Sequence, residues 1–306
     1  MTSRSVFALQ ALALLLTSAR MSPAATCSVS TGGAAFGAST AFTVQQADVV
    51  FSVTVSCSGA ASEHVPITIA AAQGNGTYAN RQMKTANWTV SYNLFVDSGR
   101  TQVWGDGTGI TQSVSDTIVL VTGAQEDHGY TLYGRIPVQG NQSVGAATDS
   151  VVVTLTYQSS TASTSLLASY TVNPSCTVSA AALSFGDYDP VGAQRTSPLT
   201  AAAAVGYRCI QDPSVTPTFT LDQGQNPAGG SSDNAPLRRM TDGTHFLSYN
   251  LYGSTGCVDL WNNTTGFTSP GTGDPATLTV YGCIPAGQTS VPPGSYSDTV
   301  VITVTF

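Results

Sequence analysis

Two stretches decide the fold: Asp149-Ser-Val-Val-Val-Thr-Leu-Thr-Tyr157 and Asp298-Thr-Val-Val-Ile-Thr-Val-Thr-Phe306. In the second, Val300, Ile302, Val304 and Phe306 share one face, and Thr299, Val301, Thr303 and Thr305 share the other. That period of two predicts a strand with one buried side. β-Branched residues dominate both stretches, and they fit a pleated backbone better than a helical one.

The strand occurs twice because the whole chain is a duplication. The copies open on Cys27-Ser-Val-Ser and Cys176-Thr-Val-Ser, and each places a second cysteine at the end of a β-rich run, Val53-Thr-Val-Ser-Cys57 and Val205-Gly-Tyr-Arg-Cys209. Tyr92-Asn-Leu-Phe matches Tyr249-Asn-Leu-Tyr, with Trp104 and Trp261 at equal distances beyond. Tyr133-Gly-Arg-Ile-Pro137 matches Tyr281-Gly-Cys-Ile-Pro285, and from first cysteine to last aromatic the copies are equally long. Short alternating runs between Gly, Asn, Asp and Pro clusters predict antiparallel sandwiches or barrels, with no helix longer than two turns after the leader.

Composition narrows the function classes. Of 306 residues only 9% are charged, the net charge is −7, and Lys84 is the single lysine. Without clustered Lys and Arg to neutralise phosphates, nucleic acid is excluded as a partner. Residues 1–25 read as a signal peptide: Arg4, an apolar run over 6–16 too short to span a bilayer, then Ser22-Pro23-Ala24-Ala25, with cleavage after Ala24 or Ala25. Six cysteines behind such a leader predict disulfides. The repeat pairs Cys27 with Cys57 and Cys176 with Cys209, which leaves Cys257 with Cys283; these last two align with Arg100 and Arg135 of the first copy. Closing a loop of about 30 residues is worth roughly 3–4 kcal/mol in the chain-entropy account.

The copies differ in their flanks. Residues 158–175 follow the last strand of the first copy, whereas nothing follows Phe306. Leu166, Ala168, Tyr170 and Val172 alternate within that segment, and about ten extended residues span roughly 33 Å, the length of a small sandwich. The segment is therefore read as a linker and intramolecular closing strand of the first domain, with a plain linker between two complete domains as the alternative. The second domain is expected to expose an unpaired edge, a liability unless another chain covers it. The expected division is 1–25 signal peptide, 26–157 first domain, 158–175 linker and closing strand, and 176–306 second domain.

The opening Cys-x-Val, the second cysteine about 30 residues on, the Tyr-Asn-Leu strand and the closing Gly294-Ser-Tyr296-Ser-Asp298-Thr-Val run together resemble the spore coat protein U domain family, which includes pilins of archaic, Csu-type chaperone–usher pili. The resemblance covers nearly the whole mature chain, twice. It implies an all-β fold of two tandem immunoglobulin-like, pilin-type sandwiches, the second lacking its last strand. It also implies four partners: a periplasmic pilus chaperone, an outer-membrane usher, an adjacent pilin subunit donating an N-terminal strand, and an abiotic or host surface. Val300, Ile302, Val304 and Phe306 would line the strand-acceptor groove and meet the chaperone. A mature chain opening at Cys27 is expected to have no arm of its own to donate, which implies a two-domain tip adhesin attaching through its first domain.

Adhesion in that family implies exposed apolar loops, and the candidates are 32–41 with Phe36, 74–83 with Tyr78 and Met83, and 104–110. Trp104 is assigned to the core because Trp261 is its counterpart. Nothing in the chain reads as an enzyme. Glu126-Asp127-His128 reads as a solvated turn, Trp104-Gly-Asp-Gly-Thr-Gly as a hairpin turn with too few oxygen ligands for calcium, and no Gly-x-Ser-x-Gly or phosphate-binding loop occurs. No metal or cofactor is expected. A secreted structural spore-coat or matrix protein is the rival reading.

Overall fold

The computed structural model describes residues 24–180, 182–210 and 215–306. The expected signal peptide lies outside them apart from Ala24 and Ala25. The first copy contains β1 (Thr26–Thr31), β2 (Ala34–Ser39), β3 (Ala47–Ser58), β4 (Glu63–Ala71), β5 (Gly76–Thr77), β6 (Asn80–Lys84), β7 (Thr89–Phe95), β8 (Val103–Trp104), β9 (Thr111–Gln112), β10 (Val114–Leu120), β11 (Glu126–Ile136), β12 (Gly145–Tyr157) and β13 (Ser160–Val172). The second contains β14 (Ser175–Ala180), β15 (Leu199–Ile210), β16 (Thr218–Leu221), β17 (Arg238–Thr241), β18 (Phe246–Tyr252), β19 (Phe267–Thr268), β20 (Ala276–Ile284) and β21 (Ile302–Thr305). Among the described residues the helical structure is one 3₁₀ turn, Ala193–Arg195.

Both copies are sandwiches. In the first, β1-β3-β11-β7 form one layer and β10-β4-β12-β13-β2 the other, with β6 pairing β7 and meeting β12 at Lys84–Thr148. In the second, β14-β15-β20-β18-β17 face β19-β16-β21. The equivalence extends to single bridges, since Thr241–Ser297 repeats Lys84–Thr148. Each core holds a tryptophan, and Trp104 donates its indole N–H to the Ile69 carbonyl at 3.1 Å as Trp261 does to that of Phe219 at 2.8 Å. A buried indole needs such a partner.

Cys27–Cys57 joins β1 to β3, Cys176–Cys209 joins β14 to β15, and Cys257–Cys283 ties the loop after β18 to β20. Where the third disulfide would sit in the first copy, Arg135 forks onto Asp48 at 2.7 and 2.8 Å, and Arg100 approaches the same carboxylate at 3.4 Å. An ion triad and a covalent bond thus fill equivalent positions. The hydrogen bond from Arg135, with both guanidinium charges, holds the Asp48 carboxyl below its ordinary range.

Three expectations need correction. Phe36 is only 8% exposed, edge-on against Tyr92, and Met83 is fully buried, so neither can grip a surface. Their strands point them into the sandwich, which a loop reading overlooks. Glu126, Asp127 and His128 begin β11 opposite β3 and form no turn. Trp104-Gly-Asp-Gly-Thr-Gly is not a hairpin turn, because the flanking β8 and β9 pair in parallel.

Candidate functional site

The two domains differ most along the last strand. In the first, β12 is covered on both edges. β4 pairs one side and β13 the other, antiparallel along the whole of β12, from Gly145–Val172 to Tyr157–Ser160. β13 in turn pairs β2 in parallel, with Ala168 opposite Ala34. Leu166, Ala168, Tyr170 and Val172 point inward and are at most 2% exposed. Under this cover Val151, Val153 and Leu155 are completely buried.

In the second domain β21 pairs β16, from Leu221–Ile302 to Thr218–Thr305, and among the described residues no strand pairs its other edge. Val300, Ile302 and Val304, the counterparts of Val151, Val153 and Leu155, are only half-buried. Phe306 is 44% exposed where Tyr157 is 8% exposed. The wall formed by β2 in the first domain is also present, as residues 182–189 without strand pairing. Phe185 lies edge-on to Tyr249 at 6.0 Å as Phe36 does to Tyr92 at 5.8 Å. Gly134 and Gly282 leave room for those rings, because a Cβ on either would meet the phenylalanine tip at 2.8 and 2.5 Å respectively. Between this wall and the segment 289–296 that leads into the last strand lies an open groove of about 810 Å³, lined by Leu183, Phe185, Met240, Leu247, Ile284 and Tyr296 among others.

One polar pair is built into each slot. Tyr92 donates its hydroxyl to Asp149 at 2.7 Å, and Tyr249 donates to Asp298 at 2.7 Å. The backbone N–H of Asn75 supports the first carboxylate and that of Gln225 the second. Burial, then the hydrogen bond to the aspartate, pushes both phenols well above their ordinary range. These hydroxyls therefore stay protonated and act as fixed donors to the aspartate that opens the last strand.

The structure brings Val300, Ile302 and Val304 together along one edge, with Phe306 at its end, and places Leu166, Ala168, Tyr170 and Val172 along the corresponding slot of the first domain. Among the proposed surface-binding residues Tyr78 alone is partly accessible; it is half-buried beside the Arg81 guanidinium, at 5.3 Å. Sequence reasoning missed Arg81 and Arg238. Both are buried, Arg81 bonding Asn93 and the Ala72 and Trp104 carbonyls, Arg238 bonding Asn250 and the Leu221, Asp222 and Trp261 carbonyls. The repeated triplet Arg81-Gln-Met83 and Arg238-Arg-Met240 was the available signal. Among the described residues no group of three or more His, Cys, Asp or Glu is placed to hold a metal ion, and no helix is long and apolar enough to cross a membrane.

Comparison with known proteins agrees with the duplication. The Spore Coat Protein U domain matches residues 13–154 and again 162–303, so the second match begins inside β13. Protein U of Myxococcus xanthus is 38% identical over 159 residues, which cover 49% of this chain and 87% of that protein. Among solved structures, the CsuC–CsuE chaperone–tip adhesion subunit pre-assembly complex from archaic Csu pili of Acinetobacter baumannii aligns over 92% of this chain and 100% of its own at 17% identity, TM-score 0.49. The CupB6 tip adhesin from Pseudomonas aeruginosa aligns over 91% and 93% at 12% identity, TM-score 0.41. With an internal repeat and a domain match in each half, the chain belongs to the spore coat protein U domain family, of which it carries two copies.

Proposed function

We propose that the chain is a non-enzymatic tip adhesin of a chaperone–usher pilus, passing through the periplasm to the cell surface and supporting adhesion and biofilm formation. One observation carries this reading. β13 lies at the start of the second family match, yet it folds into the first domain, and only Asn173 and Pro174 separate it from β14. The leading segment of one copy thus completes the copy before it. The same joint, repeated between chains, would have the leading segment of an adjacent pilin enter beside β21 and cover Val300, Ile302, Val304 and Phe306. A periplasmic chaperone would occupy that edge before the usher assembles the fibre. An open β-edge with half-buried apolar side chains favours such an occupant, because leaving it bare invites misassociation. A chain with one filled slot and one open slot fits the end of a fibre, the filled domain facing an abiotic or host surface. The spore coat in the description of the matched domain favours a second reading, a secreted structural coat or matrix protein.

The test follows the thermal unfolding of the mature chain with and without an added pilin-arm peptide or the cognate chaperone. The pilus reading expects a separate, low transition of the second domain that rises by several degrees on binding. An unchanged second domain, stable without either ligand, would favour the coat reading.

A further inference from the structure

The two slots are not lined alike. Counting from the shared aspartate, Ala147 of the first domain corresponds to Tyr296 of the second, and counting from the shared phenylalanine, Ala34 corresponds to Leu183. In the first domain Ala147 is fully buried directly opposite Tyr170, and Ala34 is fully buried opposite Ala168. In that slot the bulk comes from the strand and the walls are small. In the second domain the walls themselves are bulky. The two tyrosines also end at equivalent places, since Tyr170 donates its hydroxyl to the Gln142 side chain at 3.2 Å and Tyr296 donates to the Pro292 carbonyl at 2.9 Å. By the same alignment Pro292 is one residue beyond the counterpart of Gln142, so both hydroxyls reach the segment that leads into the last strand.

Resting on the strand-acceptor reading, we propose that Tyr296 and Leu183 select the incoming strand. They admit one with small side chains at its two inward positions facing Asp298 and Tyr296, and they reject one patterned like β13 itself. Directly opposed inward residues of an antiparallel pair have Cβ atoms about 5 Å apart. A core at native density cannot hold the Tyr170-type and the Tyr296-type ring in one layer without displacing something, at a cost of about 1–3 kcal/mol. The arrangement keeps one copy of this chain from completing another with its own closing strand, so the open slot stays available to a different subunit. If the partner uses the joint seen here, its diagnostic residue stands six before its opening cysteine, as Tyr170 stands before Cys176, and is Gly, Ala or Ser.

The experiment uses two labelled peptides and the mature chain. One peptide has the sequence of residues 160–173, and the other is the same with Tyr170→Ala. The alanine peptide is expected to bind the wild-type chain at least tenfold more tightly than the tyrosine peptide. Tyr296→Ala is expected to raise affinity for the tyrosine peptide at least tenfold, and Tyr296→Phe, which keeps the ring, to leave it weak. Equal binding of both peptides to the wild-type chain would overturn the selection while leaving the open slot standing. Binding of neither peptide to wild type or to Tyr296→Ala, with no shift in the second domain's unfolding, would overturn the acceptor reading itself.

Discussion

Asp48 is a residue whose role could not be read from its neighbours in sequence. It sits two strands away from the chain segment bearing Arg100 and opposite Arg135, and the two guanidinium groups meet on its carboxylate where the second domain has Cys257–Cys283. Its carboxyl titrates below its ordinary value, so the unfolded chain takes up the proton first. The stability it contributes is therefore complete above the unfolded aspartate range, about pH 3.9, and is lost as pH falls through the lower folded value. Urea midpoints of the first domain in wild type and Asp48→Asn should accordingly differ at pH 5 and converge toward pH 2, while the second domain's midpoint is the same in both proteins. A gap that persists at pH 2 would mean that Asp48 acts through packing. Alignment of the copies placed Arg100 and Arg135 opposite two cysteines, but not the carboxylate they share, because Asp48 comes close to Arg100 only through the fold. Arg81 and Arg238 were hidden for a related reason. An arginine in a polar run reads as surface, and only tertiary structure shows the carbonyls and the asparagine that let it be buried.

At the level of strands, sequence carried much more. The period-two runs, the equal spacing of the copies and the cysteine pairs defined the sandwiches, because alternation and burial are the same fact for a half-covered sheet. The same signal could not say which alternating run has a cover, since Val151 and Val300 sit in nearly identical stretches and differ only in the strand beside them. That difference is measurable. Val151→Ala removes methyl groups from a fully buried site and should cost the first domain about 2 kcal/mol in denaturant unfolding. Val300→Ala, at a half-buried site, should cost the second domain less than about 1 kcal/mol in the free chain, and more once a strand is bound. Equal costs in the free chain would show that the edge beside Val300 is already covered. Loop positions fared worst. Phe36 and Met83 looked like exposed apolar residues because short strands in glycine- and asparagine-containing runs resemble loops in sequence.

The two domains meet through a small polar seam. Arg208 in β15 donates to the Gly273 carbonyl at 2.6 Å and to the Asn141 side chain at 3.3 Å, and its guanidinium lies 4.4 Å from the Phe42 ring centroid. Asn141 also donates to Asp274 at 3.2 Å, and Ile210 is buried with the first domain's core residues. Arg208→Ala should leave both unfolding transitions within about a degree, as expected of a surface change away from either core. It should also widen the distribution of interdomain distances measured between spin labels on the two domains. An unchanged distribution would assign the junction's order to Asn173 and Pro174.

The hairpin of β12 and β13 has one more consequence. Tension applied through the second domain enters the first along the axis of β13, whose hydrogen-bonded partner runs antiparallel for all 13 residues. Such a load shears the ladder, straining its bonds together, whereas a peeling load would open them one at a time. On the other side of the Asn173-Pro174 joint the load reaches Cys176, which passes it through a disulfide to β15. A strand entering beside β21 along the same axis would be loaded in the same manner, so such a joint would resist being pulled apart in the direction in which a tether would pull it.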